Sequence, residues 1–343
     1  MQLTNFTNHF RSISEHCQNT NFSGNISIIK NKEIVYSRST GYSDISNRIK
    51  INSKTAFGIA SGTKTITAVA VLKLIEANQL HLESTINEIF DDELTFIHPK
   101  ATIKNLLTHT SGIFDYYDEE LANDFNTFEV EIPWYKLETP SDYFPLFHGK
   151  KIKYVPNERI SYSNGGYVFL GMIIEKISGM LYRDFVNEYI FKPAEMNHSG
   201  FFAFNALPPN TASGYISTDN EAKTNIYQLP IRGGADGGAY TNSEDIHKFW
   251  DALFKNDLLP ESIRRVMIQE HVDIYQHHKY GLGVYLSMFG NKLCLKAIGA
   301  DAGVGFNSMY VPDEDLNINI FSNTTNGNKS VNTIVFKKCE EIF

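Results

Sequence analysis

The two ends of the sequence have the pattern of β-strands, whereas the middle has the pattern of helices and loops. Residues 24–31 and 32–42 are β-branched runs around an Asn-Lys turn, and four short β-rich runs follow one another from Tyr280 onward. Helical spacing of apolar residues predicts helices over about 61–77, 102–112, 167–179, 241–254 and 328–342. Because strands from both termini must find partners, we expect one lobe to be built from both ends of the chain.

This order of elements predicts an α+β fold in which an antiparallel β-sheet is flanked by terminal helices. The sheet lobe is expected to combine residues 1–60 with residues 231–343, and residues 61–230 are expected to form a mostly helical insertion lobe. One terminal helix is predicted from apolar residues at helical spacing, namely Leu3, Phe6, Phe10 and Ile13.

Composition excludes several classes of function. With 343 residues, of which 42% are hydrophobic, the chain can bury a sizeable core. Lys and Arg total 31 against 39 Asp and Glu, and the net charge of −8 argues against binding to nucleic acid or to an anionic membrane. Three cysteines without a C-x-x-C pair, and no H-E-x-x-H motif, indicate neither a disulfide framework nor a metal site. No metal and no cofactor are expected.

The sequence carries no recognisable membrane or secretion signal. No apolar run approaches the roughly 18 residues that a membrane span needs. The N-terminus lacks a basic start followed by an apolar block. As it stands, the sequence predicts a cytoplasmic protein, and an extracellular location is expected only if a leader was removed. The oligomeric state is not indicated.

A serine and a lysine three residues apart stand at the start of the helix predicted over about 61–77. Residues at this spacing share a helix face, so the Ser61 hydroxyl and the Lys64 amine would meet. A serine becomes a nucleophile when a base takes its proton, and a lysine can be that base if burial lowers its pKa. The same Ser-x-x-Lys sequence is also compatible with a helix cap beside a solvated lysine.

A second candidate group is Tyr162-Ser163-Asn164, which follows the loop KYVPNERIS. A tyrosine and an amide two residues apart in an extended loop can both face a cleft. The phenol can relay a proton, and the amide can hold a substrate carbonyl or orient the lysine. The alternative is ordinary turn chemistry, because Ser-Asn-Gly-Gly is itself a strong turn signal.

Four longer segments occur in the order of a known family. They are FGIASGTKTITAVAVLKLIE, IKNLLTHTSGIFDY, VPNERISYSNGGYVFLGMIIEKISGMLYRDFVNEYIFKPAEMNHSGF and RGGADGGAYTNSEDIHKF. Over about residues 20–325 the chain resembles the serine β-lactamase and penicillin-binding protein superfamily. The resemblance is to its class C-like branch, which also holds D-peptide hydrolases and esterases. It implies a β-lactamase/transpeptidase-like fold, a single catalytic unit with the active site in the cleft between the sheet and an all-helical insertion lobe.

The resemblance implies a role for each candidate residue. Ser61 matches the nucleophile, and Lys64 matches the lysine that activates it. Tyr162 matches the phenol that shares the role of general base and protonates the leaving group. Asn164 matches the amide that contacts the lysine and the substrate. Which of Lys64 and Tyr162 is the proximate base stays open. The oxyanion hole would use the backbone N–H of Ser61 and one from the edge strand of the sheet.

The third motif departs from the family pattern of Lys-Thr-Gly or His-x-Gly. Here Ala297-Ile298-Gly299 takes its place. Gly299 still lets the backbone approach the acyl group, and Ala300 would supply the second oxyanion N–H. The cation is missing, and Lys296 would face the other side of the strand unless a bulge turns it toward the substrate. We therefore expect weak recognition of a substrate carboxylate, the group that marks penicillins and D-Ala-D-Ala ends.

Other residues receive plainer interpretations. His109, in the THTSG turn, is interpreted as structural. The acidic residues at 91–93, Asp115 and those at 118–120 are expected in solvated loops. Six aromatic residues of the middle segment are expected to pack for the most part, with some lining a substrate cleft: Tyr116, Tyr117, Trp134, Tyr135, Tyr143 and Phe144.

The expected function is that of a serine hydrolase. It would act through an acyl-enzyme on a small-molecule or short-peptide substrate, namely a small amide, a D-amino-acid peptide or an ester. A true class C-like β-lactamase is one alternative, and a penicillin-binding or sensor protein that deacylates slowly is another. A non-catalytic scaffold is a third alternative. A scaffold that no longer needs catalysis would be expected to lose such residues as Ser61, Lys64 and Tyr162 one at a time, and here they are all present.

Overall fold

A computed structural model describes residues 10–90, 94–121, 124–217, 221–275 and 278–343. The predicted helical positions Leu3 and Phe6, and the acidic run at 91–93, lie outside these residues. Within the described parts of the chain, no helix combines the length and the apolar character that crossing a membrane requires.

Fourteen strands are described. They are β1 Gly24–Lys30, β2 Glu33–Thr40, β3 Tyr42–Asp44, β4 Ile49–Lys50, β5 Phe57–Gly58, β6 Tyr215–Ser217, β7 Lys223–Thr224, β8 Tyr240–Thr241, β9 Val272–Tyr275, β10 His278–Tyr280, β11 Tyr285–Phe289, β12 Lys292–Asp301, β13 Val304–Val311 and β14 Leu316–Ser322. Eight of them form one antiparallel sheet in the order β2-β1-β14-β13-β12-β11-β10-β9. The predicted antiparallel sheet and its meander from Tyr280 onward are confirmed.

The described helices agree with most of the predicted ones. They are Arg11–Asn19, Thr63–Glu76, Ile86–Ile89, Ile103–Leu107, Phe144–Phe147, Asn164–Ser178, Tyr182–Val186, Ser243–Phe254, Glu261–Met267 and Lys329–Ile342. Short 3-10 turns cover Ala60–Gly62, Trp134–Lys136, Pro140–Tyr143 and Pro312–Glu314, and a π-helical turn covers Asn187–Phe191. The helix predicted to reach Gly112 instead ends at Leu107, because His109 has a φ of +60°, which no α-helix can continue.

Strands from the two ends of the chain pair directly. β1 lies beside β14, from Gly24 opposite Ser322 to Lys30 opposite Leu316. The turn between β1 and β2 places Asn31 and Lys32 at φ values of +50° and +65°, the geometry of a tight hairpin that follows the twist of its strands. The lobe expected from both termini therefore has its physical basis in this pairing.

The sheet separates two apolar clusters. On one face, the helices Arg11–Asn19 and Lys329–Ile342 pack through residues such as Ile13 and Val335. On the other face, a larger cluster joins the sheet to the helices Thr63–Glu76 and Asn164–Ser178. Successive residues of a strand face opposite sides, so the central strands β11 to β14 contribute to both clusters. β12 shows this alternation, with Cys294 in the first cluster and Leu295 and Ala297 in the second.

Within the described part of segment 61–230, helices are the main regular elements but are joined by long loops, and the short hairpin of β6 and β7 shows that this segment is not all-helical. The larger apolar cluster contains residues of this segment and of the sheet alike. The lobe boundaries at 60 and 230 stay a prediction.

Candidate active site

Ser61 lies in the 3-10 turn immediately before the helix Thr63–Glu76. The residue before it, Ala60, has a φ of +44°, a left-handed conformation that costs energy for a residue with a Cβ. Thr63 stabilises this turn because its hydroxyl donates to the Ala60 carbonyl at 2.7 Å and accepts from the Ala239 N–H at 3.0 Å. Gly62 cannot be replaced without movement, since a Cβ there would lie 2.5 Å from the Phe306 ring. The turn holds Ser61 in a fixed place at the edge of a cleft.

Lys64 is buried, with 2% of its surface exposed, and three acceptors surround its amine. Nζ donates to Ser61 Oγ at 2.9 Å, to Asn164 Oδ1 at 2.7 Å and to the backbone carbonyl of Asp236 at 2.7 Å. The predicted contact between Ser61 and Lys64 is confirmed. The bond to Asn164 joins residues one hundred positions apart in the chain, as the family pattern implied.

Burial lowers the pKa of Lys64, because removing the ammonium from water disfavours its charged form. Nearby carboxylates oppose this effect and raise the pKa, Asp236 most and Glu119 next. The net direction is downward, so the neutral amine that can accept a proton is more accessible than in a lysine exposed to solvent.

Tyr162 lies over the same amine. Nζ of Lys64 is 4.8 Å from the centre of the Tyr162 ring, and the nearby Ser61 hydroxyl acts to lower the pKa of the phenol. Burial raises the pKa of the phenol well above 10, and the nearby Tyr285 and Glu119 raise it further. The structure thus brings Ser61, Lys64 and Tyr162 together, with the phenol in its neutral, proton-donating form.

Asn164 begins the helix Asn164–Ser178, and its amide is oriented by a network. Nδ2 donates to the Tyr117 carbonyl at 2.9 Å and to Glu119 Oε1 at 3.3 Å, which leaves Oδ1 to accept from Lys64. Asp115 holds this helix end, because its carboxylate accepts from the N–H groups of Asn164 and Gly165 at 2.9 and 2.8 Å.

One interpretation of the middle segment needs correction. The expectation that Asp115 lies in a solvated loop was wrong, because it is 4% exposed and its carboxylate is committed to backbone donors. Its neighbours Glu119 and Glu120 are exposed as expected. The aromatic residues divide: Tyr116, Tyr117 and Trp134 line the cleft, Tyr143 is buried, and Tyr135 and Phe144 are exposed.

Asp236 is a site residue that sequence reasoning missed. It lies in the glycine-rich segment RGGADGG, where its carbonyl accepts from Lys64 and its carboxylate accepts from the Tyr116 hydroxyl at 2.6 Å. The segment folds tightly: a Cβ on Gly233 would lie 2.3 Å from the Gly238 carbonyl oxygen. The only sequence signal was the glycine pattern itself, since a backbone carbonyl contact leaves no residue-type signature.

The third motif lies at the end of β12, beside the Ser61 turn. Pairing with β11 reaches only to Lys296, opposite Tyr285, so β11 does not cover the following residues of β12. Gly299 approaches the turn closely, because a Cβ there would lie 2.0 Å from the Ile59 carbonyl oxygen. Ala300 lines the cleft together with Ser61. Gly299 and Ala300 are therefore where the sequence expected them.

Lys296 is not brought to the cleft. Its Nζ lies 5.8 Å from the ring centre of Phe336, on the helix Lys329–Ile342. The pairing of β12 with β13 is regular from Leu295 to Asp301, so this stretch has no bulge that could turn Lys296 toward the cleft. Lys296 therefore shares a face with Cys294, away from Ser61, and its proposed contact with substrate is withdrawn. Ala297 is buried and leaves the cation position empty of charge.

The cleft is acidic. Among its described lining residues are Glu119, Asp236 and Asp301, but no Lys, Arg or His. Burial, together with weaker repulsion from Glu119 and Asp236, raises the pKa of Asp301 to about 7, although the Ala302 N–H and the Lys64 amine act to lower it. Burial likewise raises the pKa of Asp236. In the described parts of the chain, no three His, Cys, Asp or Glu side chains are grouped as a metal site would need.

Comparisons with known proteins give the same architecture. A penicillin binding protein from Bacillus halodurans is 34% identical with a TM-score of 0.89, over 96% of this chain and 100% of that chain. A D-amino acid amidase from Ochrobactrum anthropi SV3 shares the fold, with a TM-score of 0.80 at 22% identity over 98% of both chains. The fold is thus that of penicillin-binding proteins and their structural relatives.

Sequence comparison defines the family. Residues 13–334 match the family profile described as Beta-lactamase. The putative penicillin-binding protein PbpX of Bacillus subtilis (strain 168) is 30% identical over 281 residues, which are 81% of this chain and 65% of that protein. Penicillin-binding protein 4* of the same organism is 28% identical over 74% of this chain and 56% of its own. This chain belongs to the Beta-lactamase family, and it spans about half to two thirds of the length of these curated relatives.

Proposed function

We propose that the protein is a serine hydrolase that forms an acyl-enzyme on Ser61. The observation that carries the proposal is the set of partners around the Lys64 amine. A neutral amine has two N–H groups and one lone pair. The Asn164 amide oxygen and the Asp236 carbonyl can only accept hydrogen bonds, so they occupy the two N–H groups. The lone pair is then left for the hydroxyl of Ser61, 2.9 Å away.

This arrangement supports a specific first proton transfer. Lys64 takes the Ser61 proton while Oγ attacks the substrate carbonyl carbon, and the carbonyl oxygen becomes an oxyanion. The backbone N–H groups of Ser61 and Ala300 stabilise that oxyanion from the cleft wall. The lowered pKa of Lys64 and the raised pKa of Tyr162 both favour Lys64 as the base, because the lysine is the group more readily neutral and the phenol the group more firmly protonated.

Tyr162 is assigned to the leaving group. When the tetrahedral intermediate collapses, the carbon–leaving-group bond breaks and the departing amine or alkoxide takes the Tyr162 proton, which Lys64 replaces. Water then attacks the acyl-enzyme with the same groups in reverse roles and returns the proton to Ser61. Neither step needs an oxidant, a reductant or a metal ion.

The substrate is proposed to be a small amide, a D-amino-acid peptide or an ester whose acyl part carries an ammonium group and whose leaving group carries no carboxylate. Two observations support this preference. The family's third-motif cation is replaced by Ala297, and Lys296 lies on the other face of the sheet. The cleft also contains Glu119 and Asp301, whose mutual repulsion a cationic group would relieve. The fold shared with D-amino acid amidase makes D-amino acid amides the first substrates to test.

The test combines two probes and one substrate series on wild type and on Ser61→Ala. Fluorophosphonate and a fluorescent penicillin report acylation, and D- and L-phenylalanine amides, with their N-succinyl derivatives, report turnover and charge preference. We expect serine-dependent fluorophosphonate labelling, faster turnover of the free-amine D-amide than of its succinylated form, and weak penicillin labelling. Ser61→Ala should lose labelling and slow turnover by about 10³-fold or more.

The alternatives predict different results. Rapid hydrolysis of a chromogenic cephalosporin would favour a true β-lactamase. Stable labelling by the penicillin without turnover would favour a slowly deacylating penicillin-binding or sensor protein. If neither probe labels the folded wild type, the serine hydrolase proposal is refuted.

A further inference from the structure

His109 lies directly behind Tyr162, in the turn that follows the helix Ile103–Leu107. It is 1% exposed, and the centre of its ring is 4.5 Å from that of Tyr162, with 32° between the planes. The rings of Tyr167 and Tyr280 lie at 5.2 and 5.3 Å. Three aromatic side chains thus enclose the imidazole, and one of them is the phenol of the proposed mechanism.

The same histidine binds the backbone on both sides of Tyr162. Its Nδ1 accepts from the Ser163 N–H at 3.1 Å, and its carbonyl accepts from the Ser161 N–H at 3.0 Å. The Tyr154 hydroxyl also donates to that carbonyl, at 3.3 Å. Because both neighbours of Tyr162 are fixed to one residue, the position of the phenol depends on His109.

The hydrogen bonds determine the state of the ring. A backbone N–H can only donate, so Nδ1 must carry a lone pair and the proton of the neutral ring is on Nε2. Nε2 has no hydrogen-bond partner among the described residues. Burial lowers the pKa of His109 well below 6.5, and the nearby Lys64 lowers it further. A second proton would convert Nδ1 into a donor and break its bond to Ser163.

We propose that His109 is a positioning residue for Tyr162: as a neutral imidazole protonated on Nε2, it holds the phenol against Ser61 and Lys64. The inference rests on the proposed function, because it gives Tyr162 its role as proton donor. It also explains why a strained turn is kept here. A φ of +60° is tolerated by histidine and asparagine better than by most residues with a Cβ.

The test separates the two contacts of His109 with a pair of variants. His109→Asn keeps an acceptor near the place of Nδ1 and tolerates the positive φ, but it removes the ring. His109→Phe keeps a ring against Tyr162 but removes the acceptor. Each variant is measured with D-phenylalanine 4-nitroanilide and with the corresponding 4-nitrophenyl ester. The exposed His148→Asn is the matched control and is expected to equal wild type.

The leaving group distinguishes positioning from a general loss of structure. An anilide needs a proton at the departing nitrogen, whereas 4-nitrophenolate leaves without one. We expect kcat for the anilide to fall by about 10- to 100-fold in both His109 variants, with KM and ester turnover changing several-fold at most. Combined with Tyr162→Phe, each His109 variant should add little further loss, because His109 acts through the phenol. Equal losses on both substrates, or additive losses with Tyr162→Phe, would overturn the inference.

A measurement that does not depend on turnover tests the state of the ring. Nitrogen NMR of histidine-labelled Ser61→Ala protein should show His109 neutral, with its proton on Nε2, from pH 8 down to about pH 5.5. A His109 resonance that titrates near 6.5, or a proton on Nδ1, would contradict the inference whatever the enzyme does. If the folded wild type turns over neither substrate and no probe labels Ser61, the proposed function itself fails. That outcome is distinct from the results above, which would refute only the role of His109.

Discussion

The two sides of the cleft differ in how completely their contacts are satisfied. On the Ser61 side, the Lys64 amine has three hydrogen-bond partners drawn from three segments of the chain. On the β12 side, the strand from Ala297 to Asp301 is not covered by β11, and the described residues that line the cleft include carboxylates but no Lys, Arg or His. In the proposed function, the chemistry and the recognition of substrate are therefore carried by separate elements, so one can depart from the family pattern while the other is kept.

Replacing Lys64 should have the largest effect, because it removes the proposed base on the Ser61 side of the cleft. For Lys64→Met we expect kcat/KM for the best amide substrate to fall by about 10³-fold. Lys73→Met on the same helix, at a lysine paired with Glu76, is the control and should stay within about twofold of wild type. A Lys64→Met protein that folds and keeps its activity would show that the three-partner amine is structural.

Tyr162→Phe tests whether the phenol acts on the leaving group. Hydrolysis of an anilide should slow by about 10²-fold and that of the matched 4-nitrophenyl ester by less than about tenfold, since only the amine must be protonated to leave. Tyr135→Phe, at an exposed tyrosine, is the control. Equal slowing of both substrates would instead favour Tyr162 as the base for attack by Ser61.

Ala297→Lys tests whether a cation on the β12 side of the cleft restores the third motif of the family. A lysine here should raise the rate of acylation by a fluorescent penicillin by about tenfold, because a charge-assisted hydrogen bond to the substrate carboxylate is worth about 1.5–3 kcal/mol. Ala297→Met supplies similar bulk without the charge at this buried position and should give no gain. The same gain in acylation rate with Met, or no gain with Lys in a folded protein, would contradict the view that the β12 side lacks a cation for the substrate carboxylate.

Asp301→Asn should have the smallest effect, visible as a pH dependence. With a pKa of about 7, Asp301 gains its charge as the pH rises through 7, so preference for a substrate with a fixed guanidinium over its neutral isostere should increase across that range. The preference should be about fivefold above pH 8 and absent below pH 6. We expect Asp301→Asn to remove the pH dependence and the exposed Asp313→Asn to keep it. A preference that is flat with pH in wild type would argue that Asp301 does not face the substrate.

The sequence predicted some residues of the candidate site but not others. Ser61 and Lys64 could be placed together because three-residue spacing on a helix fixes which side chains meet. Tyr162 and Asn164 could be added only through the order of family segments, since no local rule joins position 64 to position 164. Asp236 was missed because it acts through a carbonyl that every residue possesses. Asp115 was misplaced because an acidic residue in a polar run looks the same whether it is solvated or bound to a helix end.

The sequence by itself determined the elements: the strand patterns at the two chain ends, the helix that carries Lys64, and the loss of a cation at position 297. These follow from periodicity and residue type, which act over a few neighbouring residues. Only the tertiary structure decided that Lys64 is buried against Asn164 and Asp236, that Lys296 faces Phe336, and that His109 supports Tyr162. Such contacts join segments far apart in the chain, and their geometry exists only once the sheet and helices have packed.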